Sequence, residues 1–305
     1  MKVRLLTLLT ATSLFLLGAV PAQAEGGGDS NRGDGPTYLA LGDSVPFGFS
    51  PLKNPADADN FVGYPEIVAE QLDLKNINAT CPGEATGGFL SLTGTDNVCR
   101  PYRASAPLHV RYKTSQMDFA IKYLRSHKHS TSLITLTLGA NDVFHLQNVC
   151  TALHQGDPNP VAAITKCVND GIPAVLTTMF ANLNTILSKL RATGYKGLIV
   201  AVTYYSLDYT DTSGTVLLNT PMVGAAAANG ALIASGLEAW RATATASPAN
   251  GSSCVAGLLI RTSPTACDVH PTPLGRDLLA NAVIQTIASS CPAHDAQDCL
   301  RGEED

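Results

Sequence analysis

An α/β fold, a parallel sheet with helices on both faces, is what the sequence predicts, and two observations predict it. Residues 37–41, 133–138 and 198–203 form short runs that are apolar on both faces, as strands buried on both sides must be. Longer segments with an apolar residue every three or four positions lie between them, so strand and helix alternate along the chain.

In chain order, residues 37–41 give the first strand, 64–72 a helix, 75–80 a weaker strand and 115–125 a second helix. After the strand at 133–138 comes the clearest helix, over about residues 172–193. Its apolar residues Val175, Leu176, Met179, Leu183, Ile186 and Leu190 share one face. Pro173 falls in its first turn, where a missing N–H costs nothing. Beyond the strand at 198–203, residues 217–240 read as one helix and 242–246 as a fifth, weakest strand. Residues 273–290 read as the last helix, with Leu278, Leu279, Val283 and Ile287 on one face.

The two ends differ from this body. Lys2 and Arg4 precede an uncharged apolar run over residues 5–20, and Ala22-Gln23-Ala24 is a small-x-small cleavage pattern. Residues 1–24 therefore read as a signal peptide, too short in its apolar run for the ~20 residues that cross a bilayer. Residues 25–35 are a glycine-rich flexible leader, 36–292 the folded domain and 293–305 a polar tail, expected to fray beyond Cys299. Without Lys2 and Arg4 the chain carries 18 basic against 25 acidic residues, a net charge of −7. That balance argues against nucleic acid as a partner. A secreted monomer without stable membrane insertion is expected.

Eight cysteines in an exported chain read as four disulfides, and none has the two-residue spacing of a zinc knuckle. Short loop closure favours sequential pairing: Cys81–Cys99, Cys150–Cys167, Cys254–Cys267 and Cys291–Cys299.

In parallel sheets chemistry gathers beyond the carboxyl ends of the strands, and four blocks stand at or near such positions. Gly42-Asp43-Ser44 follows the first strand; a serine there stands exposed above the sheet, although these residue types also make ordinary turns. Gly83 follows the second strand, where a glycine lets its N–H approach a ligand. Gly139-Ala140-Asn141-Asp142 closes the strand at 133–138. Asn141 there is either an oxyanion donor or a helix cap, with Asp142 the better candidate for the cap. Asp268-Val269-His270-Pro271 precedes the last helix and offers a histidine base with an acid nearby.

Taken in order, the four blocks resemble those of the GDSL, or SGNH, hydrolase family, over about residues 36–292. The resemblance implies a three-layer α/β/α sandwich with a central parallel sheet of about five strands. It makes Ser44 the nucleophile, Ser44, Gly83 and Asn141 the oxyanion donors and His270 the base, with no metal or cofactor. One departure stands out: the family's triad aspartate lies three residues before the histidine, and Cys267 occupies that place. The orienter of His270 is then Asp268 or the backbone carbonyl of Cys267, and the carbonyl is the favoured of the two. The implied activity is carboxylic ester hydrolysis on a small-molecule or lipid ester. Carbohydrate O-deacetylation and phospholipase or acyltransferase chemistry share the same groups. A catalytically silent secreted binding module is the alternative outside enzymes. The loops at 47–55, 87–112 and 144–161 are the candidates for setting acyl size.

Overall fold

The computed structural model describes residues 35–291 and 296–301. The segment read as a signal peptide lies outside the described residues, as does the leader up to Asp34.

Five strands form one all-parallel sheet: β1 (Thr37–Gly42), β2 (Lys75–Asn78), β3 (Thr131–Thr137), β4 (Leu198–Val202) and β5 (Leu232–Ala234). Their order is β2-β1-β3-β4-β5. A separate hairpin pairs β6 (Leu259–Ser263) antiparallel with β7 (Ala266–Pro271). The helices are α1 (Ser44–Phe47), α2 (Tyr64–Gln71), α3 (Thr86–Leu90), α4 (Cys99–Ser105), α5 (Gln116–His127) and α6 (Ala140–His154). They continue with α7 (Pro160–Ala192), α8 (Ser213–Ala228), α9 (Gly236–Thr245), α10 (Pro273–Ser289) and α11 (Ala296–Arg301).

Successive strand residues point to opposite faces, and the core divides accordingly. Tyr38, Ala40, Leu133, Val200 and Val202 pack with α2, α9 and α10 on one face. Leu39, Leu41, Ile134, Leu136 and Ile199 pack with α5, α7 and α8 on the other. The result is the three-layer sandwich expected, built on five parallel strands.

Three elements differ from the sequence reading. The predicted helix at 217–240 is broken. Asn229 and Gly230 end α8, with Gly230 at φ +60°, and the three-residue β5 follows. Ser235 then caps α9 by accepting from the Glu238 N–H. The fifth strand is therefore β5, and residues 242–246 lie in and just after α9 instead of forming a strand. The helix predicted at 172–193 begins earlier, at Pro160, behind the Asn159 cap. Pro173 consequently sits inside α7 and not in its first turn. The carbonyl four residues back belongs to Asn169, which is exposed, so water can take the place of the missing N–H. Finally, part of the segment read as a polar tail is ordered: α11 buries Ala296 and Leu300 against the core.

All four disulfides join sequential cysteines: Cys81–Cys99, Cys150–Cys167, Cys254–Cys267 and Cys291–Cys299. Among the described residues, no helix is long and apolar enough to cross a membrane.

Candidate active site

The sheet reverses its winding between β1 and β3, and that switch point opens a crevice beyond the carboxyl ends of the two strands. Gly42 is the last residue of β1 and pairs with Thr137 at the end of β3. Its φ is +131°, and a Cβ there would lie 2.0 Å from the Thr137 carbonyl oxygen, so only glycine lets the chain leave the sheet here. The Asp43 side chain then accepts from the Val45 N–H at 3.0 Å, capping the short turn α1. Ser44 is its first residue, so its N–H belongs to the unpaired donors of a helix start.

His270 arrives from β7. Its Nε2 lies 2.8 Å from Ser44 Oγ. Its Nδ1 meets Asp268 Oδ1, and the same oxygen accepts from the His270 backbone N–H at 2.9 Å. The carbonyl of Cys267, favoured by sequence reasoning, is not the partner. Residues 268–270 run as a strand, so positions 268 and 270 share a face and the carboxylate reaches the ring. Burial acts to raise the Asp268 carboxyl, but the hydrogen bonds from His270 and its charge hold it below the usual value. The ring of Phe49 meets that of His270 edge-on, with centroids 4.9 Å apart.

Asn141 is the second residue of α6, whose cap is Gly139. Asn97 donates to Asn141 Oδ1 at 3.0 Å, and Asn148 donates to Asn97 Oδ1 at 3.1 Å. With its oxygen engaged, the amide has its NH₂ left for the cavity that Asn141 lines. Asp142 does not cap α6. Its carboxylate accepts from Thr86 N–H at 2.9 Å and from Thr86 Oγ1 at 2.6 Å, tying the second block to the third.

Gly83 does not line the cavity beside Ser44. It sits in a turn whose entry is tied to β1 by Cys81 N–H donating to the Gly42 carbonyl at 3.0 Å. Its φ is +81°, and a Cβ would lie 2.0 Å from Val98 Cγ2. Among the described residues no acceptor is bonded to its N–H.

Several functional neighbours escaped sequence reasoning. The cavity beside Ser44 holds about 190 Å³ and is walled by Val45, Phe144, Tyr205, Leu207, Leu218 and Val269. Of the loops expected to set acyl size, only 144–161 contributes, through Phe144. Tyr204 and Tyr205 follow β4 as a fifth strand-end block, a position that the topology itself could have flagged. Gln116 is fully buried on α5 and holds both backbone groups of Gly42: the N–H donates to its Oε1 at 2.6 Å and its Nε2 donates to the carbonyl at 3.0 Å.

Asp43 is nearly sealed from solvent. Burial raises its carboxyl from 3.8 to about 6, while hydrogen bonds from Tyr204 and Val45 act in the opposite direction.

Comparison with models of known protein families and with curated proteins found no match. Solved structures do match. Phospholipase A1 from Streptomyces albidoflavus is 19% identical with a TM-score of 0.51, covering 83% of this chain and 99% of its own. The extracellular lipase from Streptomyces rimosus is 19% identical with a TM-score of 0.53, covering 82% and 99%. At this identity the likeness establishes the shared fold.

Proposed function

We propose that this chain, which has the α/β/α fold of those lipases, is an exported serine ester hydrolase of the GDSL (SGNH) family. The observation that carries the reading is the contact of Ser44 Oγ with His270 Nε2 at 2.8 Å, with Asp268 behind the ring, at the switch point of a parallel sheet. Four disulfides and the leading apolar segment support export.

In this reading His270 Nε2 takes the Ser44 proton as Oγ bonds to the ester carbonyl carbon. The oxyanion accepts hydrogen bonds from the Ser44 N–H and the Asn141 amide. The Gly83 N–H, which lies outside the acyl cavity and has no acceptor among the described residues, is the third donor in this reading. As the tetrahedral adduct collapses, the C–O bond to the alcohol breaks and His270 returns its proton to the leaving oxygen. Water then attacks the acyl-serine, giving a proton to His270, and the acid departs as Ser44 recovers that proton. Asp268 fixes the ring tautomer and balances the imidazolium charge.

The cavity beside Ser44, walled mainly by apolar side chains, suits an apolar acyl group. Ser44→Ala tests the reading. Turnover of a short p-nitrophenyl ester should fall by several orders of magnitude, and a fluorophosphonate probe should label Ser44 alone in the unmodified protein. Undiminished turnover in the variant, or labelling elsewhere, would overturn the assignment.

A further inference from the structure

Tyr204 and Tyr205 stand at the carboxyl end of β4, outside the four blocks, and both line the cavity beside Ser44. Each is less than a tenth exposed. Their hydroxyls reach three elements that come from distant parts of the chain.

The Tyr204 hydroxyl donates to Asp43 Oδ2 and accepts from the Ala140 N–H at 3.1 Å. Asp43 is the residue whose other oxygen caps the Ser44 turn, and Ala140 is the first residue of α6, directly before Asn141. One phenol oxygen thus joins the element carrying the nucleophile to the element carrying the amide donor. Tyr204 is itself held by the Asn219 side chain of α8. Tyr204 N–H donates to Asn219 Oδ1 at 2.9 Å, and Asn219 Nδ2 donates to the Tyr204 carbonyl at 2.8 Å.

The Tyr205 hydroxyl donates to the Val269 carbonyl at 2.6 Å, one residue before His270. Its ring stacks on Trp240, with centroids 3.6 Å apart. Trp240 Nε1–H donates to the Gly275 carbonyl at 2.8 Å, anchoring the stack to α10.

A ring buried only to fill space would need no hydroxyl, since phenylalanine packs as well without a polar group to satisfy. Here both hydroxyls are spent on the backbone and carboxylate groups next to Ser44, Asn141 and His270. We propose that Tyr204 and Tyr205 are positioning residues: one phenol sets the Ser44 turn against the Asn141 helix, and the other sets the His270 strand against both. The inference rests on the ester-hydrolase reading.

Tyr204→Phe and Tyr205→Phe in the full chain test it, with kcat, KM and Tm measured on a short p-nitrophenyl ester well below the melting temperature. Misplacing reacting groups by ~1 Å costs about 10² in rate. Each variant should therefore lose about ten- to a hundredfold in kcat, with KM within about threefold of the parent protein. Because the Tyr204 hydroxyl joins Asp43 to Ala140, Tyr204→Phe and Asp43→Asn should couple, the double variant losing less in kcat than the product of the two single losses. Should Tyr204→Phe fail to fold, kcat of Asp43→Asn carries the test of that arm. Should Tyr205→Phe fail, Trp240→Phe, which keeps an aromatic neighbour for Tyr205 but drops the Gly275 bond, carries the other by the same kcat and KM criteria. Unchanged kcat in these variants, even with lowered Tm, would overturn the inference and leave the hydrolase reading intact. An unmodified protein with neither turnover nor probe labelling would overturn both.

Discussion

Asp268 is where a one-residue difference in spacing decides a role. In an extended strand, alternate side chains share a face, so Asp268 stands beside His270 and a single oxygen serves both its backbone N–H and its Nδ1. Sequence reasoning placed both residues in a loop ahead of the last helix and favoured the Cys267 carbonyl. Residues 268–270 lie between the paired positions Cys267 and Pro271, where the register shifts, and the bond from the His270 N–H to Asp268 Oδ1 sets the carboxylate beside the ring. Asp268→Asn should therefore lower kcat by ~10⁴, the loss expected when a triad carboxylate becomes an amide that favours the wrong tautomer. Retention of a tenth or more of the parent kcat would return the orienting role to a backbone carbonyl. Ser44, Asn141 and His270 were legible because each follows or adjoins a recognisable element in a fixed order. Asn97, Gln116, Tyr204 and Tyr205 were not, because each reaches its partner across tens to more than a hundred residues, and no local pattern encodes that contact.

Most strands and helices were read well; the start of α7, the break within 217–240 and the short strand β5 were not. The strands β1, β3 and β4 and the helix α10 match the sequence reading to within two residues. β5, with three residues, carries no period to read, although Asn229-Gly230 before it and Ser235 with Glu238 after it are recognisable stop and start signals. The hairpin β6–β7 was also missed, and it is the element on which His270 depends. Cys254–Cys267 ties its second strand to the preceding turn, one residue before Asp268. Closing a loop of about 15 residues contributes ~3 kcal/mol in the chain-entropy model. Replacing Cys254 and Cys267 by alanine should lower Tm and also reduce kcat, because the strand beneath the histidine loosens. Removing Cys291–Cys299, which ties α11 to the end of α10, should lower Tm alone. Equal kcat in the two double variants would show that the hairpin is held by its backbone pairing and not by the disulfide.

At the scale of the molecule, the parallel sheet does two things at once: it gathers blocks distant in sequence at one edge, and it buries charge there. Glu84 belongs to the second block and is 3% exposed. Its Oε2 accepts from Gln116 Nε2 at 3.3 Å and lies 3.4 Å from Cys99 Sγ, a disulfide sulfur with no proton to give. Burial first, and the charge of Asp96 second, raise its carboxyl from 4.5 to about 8, against the opposing pull of Gln116 and two arginines. The unfolded chain releases this proton near 4.5 and the folded chain near 8, so the unfolded state binds fewer protons across that window. Folding stability from this group is therefore intact below about pH 4.5 and falls as pH rises towards 8. Glu84→Gln keeps an oxygen acceptor for Gln116 and removes the titration. At pH 8 the variant should melt several degrees above the parent, since each kcal/mol moves Tm by ~2–4 °C in a domain of this size. At pH 4 both chains carry an uncharged side chain at this position, and the difference should shrink towards zero. A Tm difference that is the same at pH 4 and pH 8 would mean that Glu84 folds with its charge compensated, and that the second block is held by hydrogen bonds alone.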